Sequence, residues 1–275
     1  MDNPLEHLFS ASGSNRSQLY GALKKSLYFF MFFITLALAL IFASRPISPV
    51  FSSPPASGHW IVAGTESYYD EIIVLNGNLV VEDGGNLTLR KVVLKMNCTY
   101  NGQFNITVAY GGRFYVLEDS VITSADPDKK IGFFLVAPLS TFRMINSELH
   151  NCGSDELNLS GLILDSDDAI VDNSLLSHNV WGILASVDGV VIRNNNITAN
   201  SCGVEVHAGA NPTICGNFIS LNDWGITTGD GSPTISNNTI ISNLGDGVTG
   251  FFNASSTISD NTLAENLGAG INCHT

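Results

Sequence analysis

IVDNSLLSHNVWGI at residues 170–183, IRNNNITANSCGV at 192–204, ICGNFISLNDWGI at 214–226, ISNNTIISNLGDGV at 235–248 and ISDNTLAENLGAGI at 258–271 share one template. It reads I-x-x-N-x-[IL]-x-x-N, then two or three residues, then G-[IV]. One asparagine column runs Asn173, Asn195, Asn217, Asn238, Asn261, with steps of 22, 22, 21 and 23. A second runs Asn179, Asn200, Asn222, Asn243, Asn266, with steps of 21, 22, 21 and 23. Two columns in register over five units set a period of about 22 residues, to which the rest of the chain must conform.

A leucine-rich repeat has a similar length, but its L-x-x-L-x-L signature is absent. The apolar residues come in short β-branched groups bounded by Asn and Gly, with no i, i+3, i+4 pattern of a helix. Three short strands and three turns per unit fit this pattern. Successive coils then pair in parallel about 4.8 Å apart with Ile, Val and Leu inside. Asparagine suits such turns because it tolerates left-handed backbone angles and bonds its own backbone. Stacked coil on coil, its amide can also bond the asparagine above and below. Less regular coils come earlier: GGNLTLRKVVL from Gly84, GGRFYVLEDSVI from Gly111 and STFRMINSELHN from Ser140, with Asn146 and Asn151 echoing the later columns. Their wider spacing predicts protruding loops at Asp126–Lys130 and Gly153–Ser160.

These units resemble the parallel β-helix repeats of the pectate-lyase-like superfamily. They are most similar to repeats grouped with the nitrous oxide reductase maturation (periplasmic copper-binding) family. The resemblance covers about residues 60–275 and implies an all-β, right-handed parallel β-helix of about seven to eight coils over 59–275. It is specific for fold and poor for function, since such repeats carry lyases, hydrolases, epimerases and adhesins.

Charge narrows the partners. The net charge is −13, and from Met144 onward fourteen Asp and Glu face one basic residue, Arg193. A nucleic-acid partner needs a basic surface to displace counterions, so that class is excluded. The uncharged run from Leu27 to Ala43 would rise about 25 Å as a helix, the lower limit for crossing a bilayer. Lys24 and Lys25 precede it, which puts residues 1–26 in the cytoplasm and the rest outside. Residues 27–44 are therefore expected to be one transmembrane signal anchor, with a cleaved signal peptide as the alternative. Both place the β-helix outside the cell or in the periplasm, membrane-anchored or secreted. Residues 45–58, with four prolines, read as a semi-rigid spacer. Sequons at Asn86, Asn97, Asn105, Asn158, Asn196, Asn237 and Asn253 agree with export as a glycoprotein. The five cysteines are scattered without a CxxC pair and read as small buried side chains rather than a zinc site or disulfide framework.

Chemistry was sought along the same columns. A polyuronate lyase needs clustered cations, and Arg193 stands alone. Glycoside hydrolysis needs two flanking carboxyl groups, and the nearest candidate is Asp165-Ser-Asp167-Asp168 with His178 one strand later. Asp167-Asp168 resembles the Asp pair of polygalacturonase-like β-helices, but their N-T-D, G-H-G and R-I-K elements are missing. No cofactor is expected, with calcium at this acidic turn as the one alternative. His150 with Cys152, His207, and Cys273 with His274 lie in different coils, so copper is not carried over from the similar family. A further column precedes the repeat glycine: Trp181, Cys202, Trp224, Asp246, Ala269. If it stacks, Trp181 and Trp224 lie about 10 Å apart, close to the spacing of alternate sugars. Covering the end of the core is the competing role for these indoles. The leading reading is a non-catalytic surface scaffold or carbohydrate-binding, adhesion-type protein whose partners are polysaccharides or surface glycans. The alternatives are a glycoside hydrolase-like enzyme using Asp167 and Asp168, and an envelope protein that self-associates through its C-terminal coil.

Overall fold

The computed structural model describes residues 54–154, 160–207, 209–251 and 255–274. The segments read as cytoplasmic tail and anchor, the spacer up to residue 53, and the sequons Asn158 and Asn253 lie outside the described residues. Among the described residues no helix is long and apolar enough to cross a membrane. Every element of the described chain is a strand of three to five residues.

Strands Trp60–Val62, Thr65–Tyr69 and Ile72–Leu75 form the first coil, and the same three-strand order recurs to Ile271–Cys273. Three parallel sheets result, of ten, nine and nine strands. We call them A, B and C in the order in which each coil visits them. Among the described residues nine coils are complete and a tenth contributes its first strand, more than the seven to eight expected. The surplus comes from the N-terminal part, where no asparagine template marks the turns. The step between stacked residues differs along the axis. Leu94 pairs with Ile122, 28 positions on, whereas Ile197 pairs with Ile219, 22 positions on. The longer middle coils carry extra residues in turns such as 125–130, and their core is aromatic. Phe114, Phe134 and Phe142 fill it, with ring centroids 5.2 to 6.1 Å apart.

Strand alternation points aliphatic side chains inward, two from strands such as Leu79–Val81 and one from strands such as Val191–Arg193, in unbroken stacks such as Ile192–Ile214–Ile235. Each such burial is worth roughly 1.5–3 kcal/mol. A neighbouring inward column of sheet B, through Phe142, Phe114 and Leu87, ends at the first coil on Glu66. Trp60 Nε1 and the Tyr68 hydroxyl donate to its carboxylate at 3.0 and 2.9 Å.

The asparagine columns are buried turn ladders. In the second, the Asn179, Asn200, Asn222 and Asn243 main-chain N–H groups each donate to the side-chain Oδ1 of the next member, up to Asn266, at 2.9 to 3.1 Å. The side-chain Nδ2 also reaches a carbonyl of the preceding coil, as from Asn222 to Ile197 at 3.0 Å. The first column repeats this through Asn195, Asn217, Asn238 and Asn261.

Asn173 is a correction. It is exposed, and Ser174 takes its place in the ladder, its N–H donating to Asn195 Oδ1 at 2.9 Å. The first unit is slipped by one residue: Val171, not Ile170, stacks on Ile192. With a side-chain period of two, that slip exchanges inside for outside. Asn173 stands one position earlier, in a column of left-handed residues that includes Asn146, Asn173, Asn194, Gly216, Asn237 and Asp260, with φ between 47° and 67°. Asn146 and Asn151 also belong to left-handed columns outside the buried ladders, where Asn173 Nδ2 donates to Asn146 Oδ1; Ser147 and Cys152 hold the buried ladder positions.

Replacing Asn217 by Ala leaves the Asn195 N–H and the Ile192 carbonyl without their buried partners. We expect a loss of about 2–4 kcal/mol in urea unfolding. Asn173→Gly keeps the left-handed angle and should change stability by less than about 1 kcal/mol.

Candidate functional site

The repeat glycine sets the site. A Cβ on Gly203 would lie 2.5 Å from the Gly225 carbonyl oxygen and 2.8 Å from Ile219 Cγ2. Gly182 and Gly225 meet the same obstruction. Glycine and the Ile or Val after it both abut the core, so the residue before glycine is left on the outer side of sheet A. Trp181 pairs with Cys202, and Cys202 with Trp224, in direct register. The expected column therefore exists, with the indoles two coils apart on one strip. Trp224 is 43% exposed and Trp181 half-buried, while Cys202 between them is buried.

Two polar residues join this strip. In Val204-Glu205-Val206-His207 the valines point inward, so Glu205 and His207 share the outer face. His207 Nε2 lies 2.9 Å from Glu205 Oε1. Thr227, stacked on Glu205 in the next coil, donates its hydroxyl to Oε2. The His207 ring lies 6.5 Å from that of Trp181, and the Cys202 thiol lies 3.5 Å from Thr227 Oγ1. Glu205 was not singled out from the sequence, although the apolar–polar alternation of residues 204–207 carries the signal.

Asp246 continues the tryptophan column as an anchor. Its carboxylate accepts from Ala269 N–H at 2.7 Å, Asn272 Nδ2 at 2.8 Å and Thr249 Oγ1 at 3.1 Å. Burial pushes its pKa upward, but these bonds and the nearby His274 outweigh burial and hold it below the ordinary 3.8.

The other candidates are dispersed. Asp168 is bound by the Arg143 guanidinium and accepts from Thr141 Oγ1 at 2.9 Å, on the sheet B side. Asp165 and Asp167 instead line a shallow groove with Ser186 and Asp188. His178 sits at the opposite corner of its coil, between sheets C and A, with φ 59° and Nδ1 3.0 Å from Ser177 Oγ. His178 thus does not stand beside the Asp167–Asp168 pair, and one member of that pair is committed to an arginine. Arg193 is held by Asp172 at 2.8 Å. His150 bonds Glu148 and Ser177, at 2.8 and 2.7 Å. Among the described residues no three His, Cys, Asp or Glu side chains group as a metal site. The Asn97, Asn196 and Asn237 sequons are exposed, whereas Asn105 accepts the Phe133 N–H at 3.0 Å within a turn column.

The three-sheet coil stack and its two ladders define the class, a parallel β-helix. Residues 160–275 match the family model described as a right handed beta helix region. Among solved structures the chain is similar to the mannuronan C-5 epimerase AlgE6 A-module of Azotobacter vinelandii. That likeness has 12% identity and a TM-score of 0.36, over 80% of this chain and 90% of that one. The AlgE4 A-module of the same organism aligns at 11% identity and a TM-score of 0.32, over 78% and 87%. Similarity at that level carries no argument about chemistry. No curated protein matches the chain.

Two outcomes follow for the described side chains. Because the folded-state pKa of Asp246 is lowered, its stabilising effect is complete above the ordinary carboxylate value and is lost as pH falls through the lowered one. Thermal unfolding of the wild type should therefore lose stability on acidification below about pH 4, and Asp246→Asn should flatten that slope. Burial pushes the Cys152 thiol up to about 12 and raises that of Cys202 as well. Iodoacetamide followed by mass spectrometry should label exposed Cys273 in the native protein, and Cys152 and Cys202 only after unfolding.

Proposed function

We propose that this chain is a non-catalytic surface protein whose outer sheet A strip binds glycans, with Trp181 and Trp224 as the two platforms. The observation that carries this reading is their shared register: two indoles, two coils apart, on the outer face beside a carboxylate, an imidazole and a hydroxyl. Flat apolar faces flanked by a few convergent polar groups suit sugar rings, which present C–H faces and hydroxyl rims. The stacked coils supply a rigid bed, so little ordering is needed on binding. The segment 27–44, which would hold the β-helix at the outer surface of a membrane, fits this role.

The test is retention of the full-length protein, in a sugar-free zwitterionic detergent, on gels carrying soluble polysaccharides. Trp181→Ala and Trp224→Ala should each weaken retention by about tenfold, the equivalent of ~1.4 kcal/mol, with the unfolding midpoint little changed. Unchanged retention in both variants would sink the proposal. Release of new oligosaccharides from the polysaccharide would replace it with an enzymatic reading.

A further inference from the structure

The strip carries more information than two aromatic platforms. Glu205 stands between the indoles along the axis, one coil beyond Trp181 and one before Trp224. Its carboxylate is engaged by His207, Thr227 and the neighbouring Cys202 thiol. A carboxylate offers about four lone-pair positions, so one remains for a ligand. The side chain is 19% exposed, enough to be reached from outside and too little to swing away. The surrounding charge is mainly negative, with Lys130 the cation that shares the neighbouring corner groove with Asp223. From residue 194 to the end of the chain there is no Lys or Arg. Asp223 precedes Trp224 in the sequence and Asp246 follows Trp224 in the column one coil on, and Asp246 already has four influences holding it ionised. The cation of the preceding coil, Arg193, lies on sheet B and is tied to Asp172.

We infer that Glu205, fixed by His207 and Thr227 between the two indoles, selects the glycan: it accepts hydrogen bonds from the hydroxyls of uncharged sugars and repels polyuronates. This rests on the glycan-binding reading above. The physical reason is asymmetric. A sugar hydroxyl is a donor and finds a charge-assisted acceptor. A uronate carboxylate has no donor to offer, brings a like charge, and finds no guanidinium or ammonium on the strands of sheet A to neutralise it. Discrimination of this kind comes from the repulsive element as much as from the attractive one. It also fades with salt, because charges at an outer surface are screened over about 10 Å at 0.1 M ionic strength.

The experiment compares the full-length protein on neutral β-glucan and galactomannan gels with polygalacturonate and alginate gels, at low and high salt. Wild type should be retained by a neutral gel at least roughly tenfold more strongly than by either polyuronate at low salt. High salt should narrow that ratio. Glu205→Gln keeps the shape and an acceptor oxygen for Thr227; it should raise polyuronate retention by about tenfold and, with the charge-assisted acceptor gone, lower neutral retention by about threefold. The salt series on wild type gives the answer even if the variant folds poorly. Polyuronates retained as strongly as the neutral gels, or a preference unmoved by both salt and Glu205→Gln, would overturn the inference and leave the binding strip intact. No retention of wild type on any gel would instead overturn the binding strip itself, and the inference with it.

Discussion

The structure depends on the hydrogen bonds between coils that the buried asparagines make at two of the three corners. A parallel β-helix has no hairpins to fix its register; each coil must find its neighbour by side-chain stacking alone. The Asn200, Asn222 and Asn243 amides do this by bonding backwards to a carbonyl and forwards to the next amide. A coil shifted by one residue would bury an amide with no partner, which costs about 1–3 kcal/mol for each orphaned group. The aliphatic stacks supply most of the driving force, but they tolerate sliding better than the ladders do.

Much of this was legible in the sequence, and the misses have physical causes. The fold was readable because ladder asparagine, inward Ile and core glycine each occupy one position of a fixed period. Asn173 misled because two neighbouring turn positions both favour asparagine, one for its amide and the other for its tolerance of positive φ. Only the inward residue between them, Val171 rather than Ile170, tells which is which. Coil count failed at the N-terminal end, where serines and a cysteine hold the ladder positions and 27- to 28-residue coils hide the period.

The candidate site was half legible. Its tryptophan column follows from the glycine that stands next to each indole. Glu205 and His207 needed the alternation of one short strand to be read together with its neighbours, since their partner Thr227 is 22 positions away from Glu205. The acidic turn at 165–168 drew attention by composition, and it is three-dimensional context that dissolves it: Arg143, from the coil before, takes Asp168. Carboxylates adjacent in sequence at a β-helix corner point along different sheets, so adjacency there is a poor guide to chemistry.

The coil stack and the strip meet in one measurable quantity. Of the three tryptophans, Trp60 is enclosed at the first coil and Trp181 and Trp224 are open on sheet A. Quenching of intrinsic fluorescence by acrylamide, a neutral collisional probe, therefore reports mainly on the strip. Titrating in a neutral polysaccharide should reduce that quenching in a saturable way, as sugar rings cover the two indoles. Quenching that stays unchanged while the polysaccharide demonstrably holds the protein would contradict the account, because the glycan would then lie elsewhere on the β-helix.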